Sequence, residues 1–102
     1  MDTTHLPQRV RAHIAIWHLE SGSHRKIVVG QANLSFPEYM VLILTASGLK
    51  RDTVADLMKR SPSTVDKHLQ KVRDKLNAHT SVAITHIAIK HNLVIAGEFT
   101  QI

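Results

Sequence analysis

Two strong helix start signals divide most of this chain into short helices. Ser35-Phe-Pro-Glu38 is a capping box, in which the serine hydroxyl and the glutamate carboxylate satisfy free backbone amides. Ser61-Pro62 is the second signal, an N-cap serine followed by proline at the first helical position. Gly48, which lies between them, can adopt the left-handed conformation that ends a helix. The signals predict a helix from Ser35 to about Gly48, a short helix over about 51–59 and another over about 62–76.

Apolar residues at helical spacing support this division. In the helix that begins at Pro62, the apolar stripe consists of Val65, Leu69, Val72 and Leu76. The corresponding stripes of the two preceding helices are Tyr39, Leu42, Ile43 and Ala46, and then Val54, Ala55 and Met58. A last helix over about 80–91 has the apolar residues Val82, Ala83, Ile84, Ile87 and Ala88. The predicted core is therefore all-α, with four helices.

A further helix is predicted before this core, over about 7–20. Its apolar residues Val10, Ile14 and Trp17 recur at helical spacing, and a polar, turn-prone patch follows. Residues 27–30 (IVVG) are consistent with a short strand, but four residues do not decide it. We expect a helical extension and turn-rich linker at 1–33 and one domain at 34–102. The extra helix either packs on that domain or supports a dimer.

Composition narrows the class of partner. The chain has 102 residues, with 13 Lys and Arg against 8 Asp and Glu, a net charge of +5. This balance favours a polyanionic partner, either nucleic acid or an acidic membrane surface. The sequence lacks a signal-peptide core and an apolar stretch that approaches the roughly 18 residues of a membrane span. We therefore expect a cytoplasmic protein with no membrane association.

The sequence does not predict a cofactor, a metal site or an enzyme. There is no cysteine, which excludes a disulfide framework and thiolate ligands. The histidine pairs His13/His18 and His86/His91 are five residues apart, which places the partners of each pair on different helix faces. No paired carboxylates, activated nucleophile or phosphate-binding loop is recognisable.

The segment over about 51–76 is typical of a helix-turn-helix. Two short helices joined by a tight turn, the second of them rich in cations, are the form that such a motif takes. Residues 50–75 contain eight cations against four acids, which accounts for most of the net charge. The face opposite the apolar stripe carries Ser63, Asp66, Lys67, Gln70, Lys71 and Asp74. From this pattern alone, DNA binding and a merely solvated basic face are equally consistent.

The residues over 34–94 also resemble the LuxR-type (GerE-like) DNA-binding domain. Residues 34–42 (LSFPEYMVL) are similar to the family pattern L-T-x-R-E-x-E-V-L, and 46–49 (ASGL) to A-x-G-x. Residues 54–58 (VADLM) are similar to I-A-x-x-L, and 61–68 (SPSTVDKH) to S-x-x-T-V-K-x-H. The resemblance spans about 60 residues, over which the sequence aligns with the family pattern without an insertion.

This resemblance implies a four-helix domain that binds double-stranded DNA as a transcription regulator, with helix 62–76 in the major groove. By position, Asp66, Lys67 and Gln70 would contact base edges or nearby phosphates, and Thr64 and Lys71 would lie near the DNA backbone. The full set of expected DNA-binding residues is Ser63, Thr64, Asp66, Lys67, His68, Gln70 and Lys71. The resemblance further implies a homodimer on an imperfect palindrome. Its expected contacts are Val82, Ile84, Ile87 and Ala88.

Several residues depart from the family pattern, and one of them bears on function. Asp66 replaces a lysine, which places a carboxylate where phosphates or base acceptors are expected. It either accepts a hydrogen bond from cytosine or opposes DNA unless Lys67 compensates. Asn92 replaces the closing glycine, although asparagine also tolerates left-handed geometry.

Two modes of action therefore stay open. Asp66 favours an alternative in which the protein is an interaction module that sequesters another regulator without binding DNA itself. Nothing in the sequence resembles a receiver or an autoinducer-binding domain. We accordingly expect a free-standing regulator, controlled by its concentration or by a regulatory protein partner.

Overall fold

Within residues 3–20 and 22–94, which a computed structural model describes, the chain forms five helices and one β-hairpin. In chain order the elements are α1 (Gln8–Glu20), β1 (Lys26–Val29), β2 (Ala32–Ser35), α2 (Phe36–Ala46), α3 (Arg51–Met58), α4 (Pro62–Leu76) and α5 (Ser81–Lys90). The prediction of an all-helical domain with an additional N-terminal helix is confirmed. Residues 1, 2, 21 and 95–102 of the predicted segments 1–33 and 34–102 lie outside the described residues.

Helices α2 and α4 begin where their capping residues predict. The Ser35 hydroxyl accepts from the Glu38 amide at 3.3 Å, and Glu38 Oε1 accepts from the Ser35 amide at 2.9 Å, which completes the capping box. The Ser61 hydroxyl accepts from the Thr64 amide at 3.2 Å and caps α4 in the same way. At the ends of α3 and α4 the residues in the left-handed conformation are Lys59 (φ 56°) and Asn77 (φ 52°). Glycine is the usual residue at this position of a helix.

The β-hairpin lies directly before α2. Its antiparallel register pairs Lys26 with Ser35 and Val29 with Ala32, around a tight turn at Gly30 (φ +62°) and Gln31. Val29 and Leu34 are buried on the face turned to the helices. Because β2 ends at the N-cap of α2, the boundary expected between residues 33 and 34 falls inside a strand.

Helix α1 packs on the rest of the domain through one buried stripe. Val10, Ile14 and Trp17 are buried in the same core cluster as Phe36 of α2 and Val54 of α3. Of the two roles left open for this helix, packing on the domain is therefore confirmed. The outer face of α1 remains exposed.

Trp17 contacts both α2 and α3. Its side chain is 1% exposed, and its ring centroid lies 5.5 Å from that of Phe36. The indole Nε1 donates to the main-chain oxygen of Met58 at 2.9 Å. Met58 is the last residue of α3, so Trp17 satisfies a carbonyl that a helix end leaves without an intrahelical partner.

Candidate nucleic-acid interface

The predicted helix-turn-helix consists of α3 and α4 joined at residues 59–61. Lys59 takes the left-handed conformation, and its amide and that of Arg60 donate to the carbonyls of Asp56 and Ala55. Ser61 then caps the start of α4. The turn is therefore held by backbone hydrogen bonds, and it places α4 across α3.

One face of α4 is buried and the opposite face is open to solvent. Val65 and Val72 are buried, whereas Leu69 and Leu76 are partly buried and pack against the core. The six polar residues expected on the opposite face are all exposed: Ser63, Asp66, Lys67, Gln70, Lys71 and Asp74. A helix with this arrangement can lie in a DNA groove without disturbing the core.

The hydroxyl residues at the start of α4 take part in the helix cap. Ser61 Oγ lies 2.9 Å from Thr64 Oγ1 and 3.2 Å from Ser63 Oγ. Thr64 is half-buried, whereas Ser63 is exposed. Both therefore lie at the first turn of α4, where helix-turn-helix domains approach the DNA.

Asp66 forms an ion pair with a neighbouring helix. Its Oδ2 lies 3.0 Å from Nη1 of Arg51, the first residue of α3, and both side chains are about half exposed. Arg51, rather than the expected Lys67, therefore compensates this carboxylate. The pair offsets a negative charge on the face that is expected to meet phosphates.

Two further cations of the 50–75 segment are also engaged within the domain. The Arg60 guanidinium lies over the Trp17 ring, 5.1 Å from its centroid, and donates to the Lys59 carbonyl at 3.1 Å. Lys75 Nζ lies 2.7 Å from Glu38 Oε1 and donates to the Asn33 carbonyl at 3.1 Å. Arg60 keeps its charge, whereas Lys75 is paired with an acid, which leaves Lys67 and Lys71 as the lysines on the exposed face of α4.

The Lys75–Glu38 pair fixes the end of α4 to the start of α2. Glu38 is only 3% exposed. Burial opposes its ionisation, but the hydrogen bonds from the Lys75 ammonium and the Ser35 amide lower its pKa below the ordinary value. Glu38 is therefore ionised at neutral pH, and it serves both the capping box and the ion pair.

Replacing Glu38 with glutamine is expected to destabilise the domain in a pH-dependent way. Glutamine preserves an acceptor for the Ser35 amide but loses the charge facing Lys75. The cost at pH 7 is roughly 1.5–3 kcal/mol, toward the lower end because the Lys75 side chain is 37% exposed. Because the folded-state pKa of Glu38 is lowered, this stabilisation is present above its unfolded pKa of about 4.3 and is lost as the pH falls further.

Urea unfolding at several pH values measures this effect. The difference between the parent and Glu38→Gln should shrink as the pH is lowered below about 4. Glu20→Gln is the matched control, because Glu20 makes an exposed pair with Arg25 at 3.7 Å, which contributes little. A difference that is equal at all pH values would contradict a charge effect.

His68 is half-buried on the side of α4 that faces α2. Burial lowers its pKa, the Glu38 carboxylate opposes this, and Lys71 and Arg60 lower it further. The imidazole is therefore largely neutral at pH 7, as expected for a packed histidine.

A family model described as "Bacterial regulatory proteins, luxR family" matches residues 32–88, more than half of the chain. The chain belongs to the LuxR family. Its members are DNA-binding transcription regulators rather than enzymes. The LuxR-family match includes β2, α2, the helix-turn-helix and most of α5.

The response regulator UvrY is similar to this LuxR-family chain over part of its length. The UvrY proteins of Escherichia coli K12 and Shigella flexneri are each 34% identical over 62 residues. The match covers 61% of this chain, which spans only 28% of the length of these curated relatives. No solved structure is significantly similar to the chain.

The residues expected to pair two LuxR-type domains divide into buried and exposed ones. Ile84 and Ala88 are fully buried against the core of one chain, so their side chains do not reach the surface. Val82 is 79% exposed and Ile87 is partly buried. A second copy could contact the latter two, and the dimer stays a prediction.

Sequence reasoning missed two features of this LuxR-family domain. The Arg51–Asp66 pair joins different helices, and the spacing within either helix gives no sign of it. The hairpin places Lys26 beside α4, in a segment that the sequence predicts to be a linker with one undecided strand.

Within the described part of the chain, no cluster of three or more His, Asp or Glu side chains could hold a metal ion. No helix there is long and apolar enough to cross a bilayer.

Proposed function

We propose that this domain binds double-stranded DNA with sequence specificity and regulates transcription, with α4 in the major groove. The observation that carries the proposal is the exposed face of α4, which presents Lys67, Gln70 and Lys71 opposite a buried apolar stripe. The Arg51–Asp66 ion pair offsets the one carboxylate that was expected to oppose DNA. LuxR-family membership supports the same use of this face.

The side chains on this face suit different parts of the duplex. Gln70 can form paired hydrogen bonds with adenine, and Lys67 can approach guanine acceptors or a phosphate. The Gln70 amide already donates to Asp74 Oδ1 at 3.1 Å, which restrains its orientation before DNA is bound. Thr64 and Lys71 are assigned to the DNA backbone, where lysine acts as a point charge.

We further propose that two copies bind an imperfect palindrome as a homodimer. Val82, which is 79% exposed on α5, is an apolar residue available for such a contact. Two helix-turn-helix units on one side of B-DNA read half-sites about 34–36 Å apart. The α5 surface would set that separation.

The alternative of a module that sequesters a regulator without binding DNA loses its main support. It was favoured by the presence of Asp66 on the reading face, and the Arg51 guanidinium lies 3.0 Å from that carboxylate. An ion pair whose two charges offset each other does not prevent phosphates from approaching the neighbouring lysines.

Fluorescence anisotropy with random and genome-selected duplexes tests the DNA-binding proposal. We expect a selected subset to bind at least about 1,000-fold more tightly than random sequence. We also expect affinity to fall steeply between about 50 mM and about 200 mM salt as counterions are released. Absence of binding at the lower salt would refute direct DNA recognition, and equal affinity for all duplexes would refute specificity.

A further inference from the structure

A shallow cleft of about 510 Å³ lies between the start of the hairpin and the side of α4. Its charged and titratable lining residues come from β1, α2 and α4 and are Lys26, Glu38, His68, Lys71, Asp74 and Lys75. Lys71 also belongs to the exposed face of α4. The cleft is therefore continuous with the surface proposed to meet DNA.

The acids of this cleft have partners within the domain. Glu38 is paired with Lys75 at 2.7 Å, so these two charges offset each other. Asp74 accepts from the neutral Gln70 amide at 3.1 Å and keeps its negative charge, so Lys26 and Lys71 together outweigh one carboxylate in the cleft. Lys26 and Lys71 are both exposed, and they approach the cleft from different elements. An anion in the cleft would have an ammonium group on either side.

The hairpin is hydrogen-bonded to α4. Lys26 pairs in register with Ser35, which is also the N-cap of α2. Lys75 of α4 donates to the Asn33 carbonyl of β2 at 3.1 Å as well as to Glu38. Lys26 therefore lies in a hairpin that is hydrogen-bonded to α4, which limits the backbone order that has to be gained when a ligand binds.

We infer that this cleft holds the phosphodiester backbone of one DNA strand, with Lys26 and Lys71 on its phosphates. The inference rests on the proposed function, because a duplex that meets Lys67 and Gln70 must place a flanking phosphate near Lys71. It adds the hairpin, outside the helix-turn-helix, as a second contact element. Phosphate contacts carry no direct sequence information, so the contribution of Lys26 is equal for all sequences.

Lys26→Gln tests this inference, with Arg11→Gln as a control of equal charge change. Arg11 is exposed on α1, which packs on α2 and α3. Lys26→Gln should weaken binding about 5- to 10-fold on selected and random duplexes alike. The plot of log K against log salt should become less steep, with the magnitude of its slope reduced by about 0.9. Arg11→Gln should leave the slope unchanged, and Lys26→Arg should restore it.

Neutral methylphosphonate linkages, introduced one at a time in a selected duplex, locate the contact. One linkage should weaken binding of the parent but not of Lys26→Gln. If Lys26→Gln matches Arg11→Gln while the parent binds DNA, the inference is overturned and the proposed function stands. A loss of affinity in Lys26→Gln that no linkage reproduces also overturns it. Failure of the parent to bind any duplex overturns both.

Discussion

Replacing Trp17 with alanine is expected to lower the free energy of unfolding by about 3–5 kcal/mol, the usual cost of removing a fully buried aromatic side chain. The indole is 1% exposed and contacts the Phe36 ring. Its removal also leaves the Met58 carbonyl without the donor now 2.9 Å away, and it uncovers the face on which Arg60 lies. Two of these contacts lie at the end of α3 and in the turn that follows it, so DNA binding should weaken together with stability.

Denaturant unfolding followed by circular dichroism measures the effect. Leu19→Ala is the matched control, because Leu19 lies on the same helix but is 84% exposed, and it should change stability by no more than about 0.5 kcal/mol. Trp17→Phe retains an aromatic ring but removes the indole donor and part of the buried volume, so it should cost less than Trp17→Ala. A loss below about 1 kcal/mol in Trp17→Ala would show that α1 is not part of the core.

Reversing two charges on α4, with Lys67→Glu and Lys71→Glu together, is expected to reduce DNA affinity at least about 100-fold. Each substitution removes a contact with the duplex and adds a charge that repels it. Both side chains are exposed, so the free energy of unfolding should change little. Anisotropy at low salt measures the affinity, and thermal unfolding confirms that the variant is folded.

The paired reversal Arg11→Glu and Lys90→Glu controls for net charge, because it changes the total by the same amount on α1 and α5. This control should retain most of the affinity. Equal losses in the two double variants would mean that only the overall charge attracts DNA, and would contradict a specific role for α4.

The helices could be located from the sequence because their start signals are local. Ser35 and Ser61 each satisfy an amide three residues further along, so a short stretch of sequence contains the whole interaction. The strand β2 could not be located in this way. Ala32–Ser35 has few residues that favour strands, and it is extended because it pairs with β1 and leads into α2.

The candidate site could likewise be predicted only where it depends on local sequence. Helical spacing identifies the exposed face of α4, because one period fixes both its buried and its open side. The Arg51–Asp66 and Lys75–Glu38 pairs join side chains that are 15 and 37 residues apart, and spacing carries no information about such contacts. These pairs decide which charges remain available to a ligand, so the number of cations in the sequence overstated the basic surface.

The contact between Trp17 and the end of α3 has a practical consequence. This residue is the one tryptophan of the whole sequence. Its indole nitrogen is bonded to the carbonyl at the helix-turn-helix turn, and the Arg60 guanidinium lies 5.1 Å from its ring. The tryptophan fluorescence of the protein therefore comes from the junction that positions α4. Tryptophan emission can therefore report the conformation of the turn between α3 and α4 without an added label.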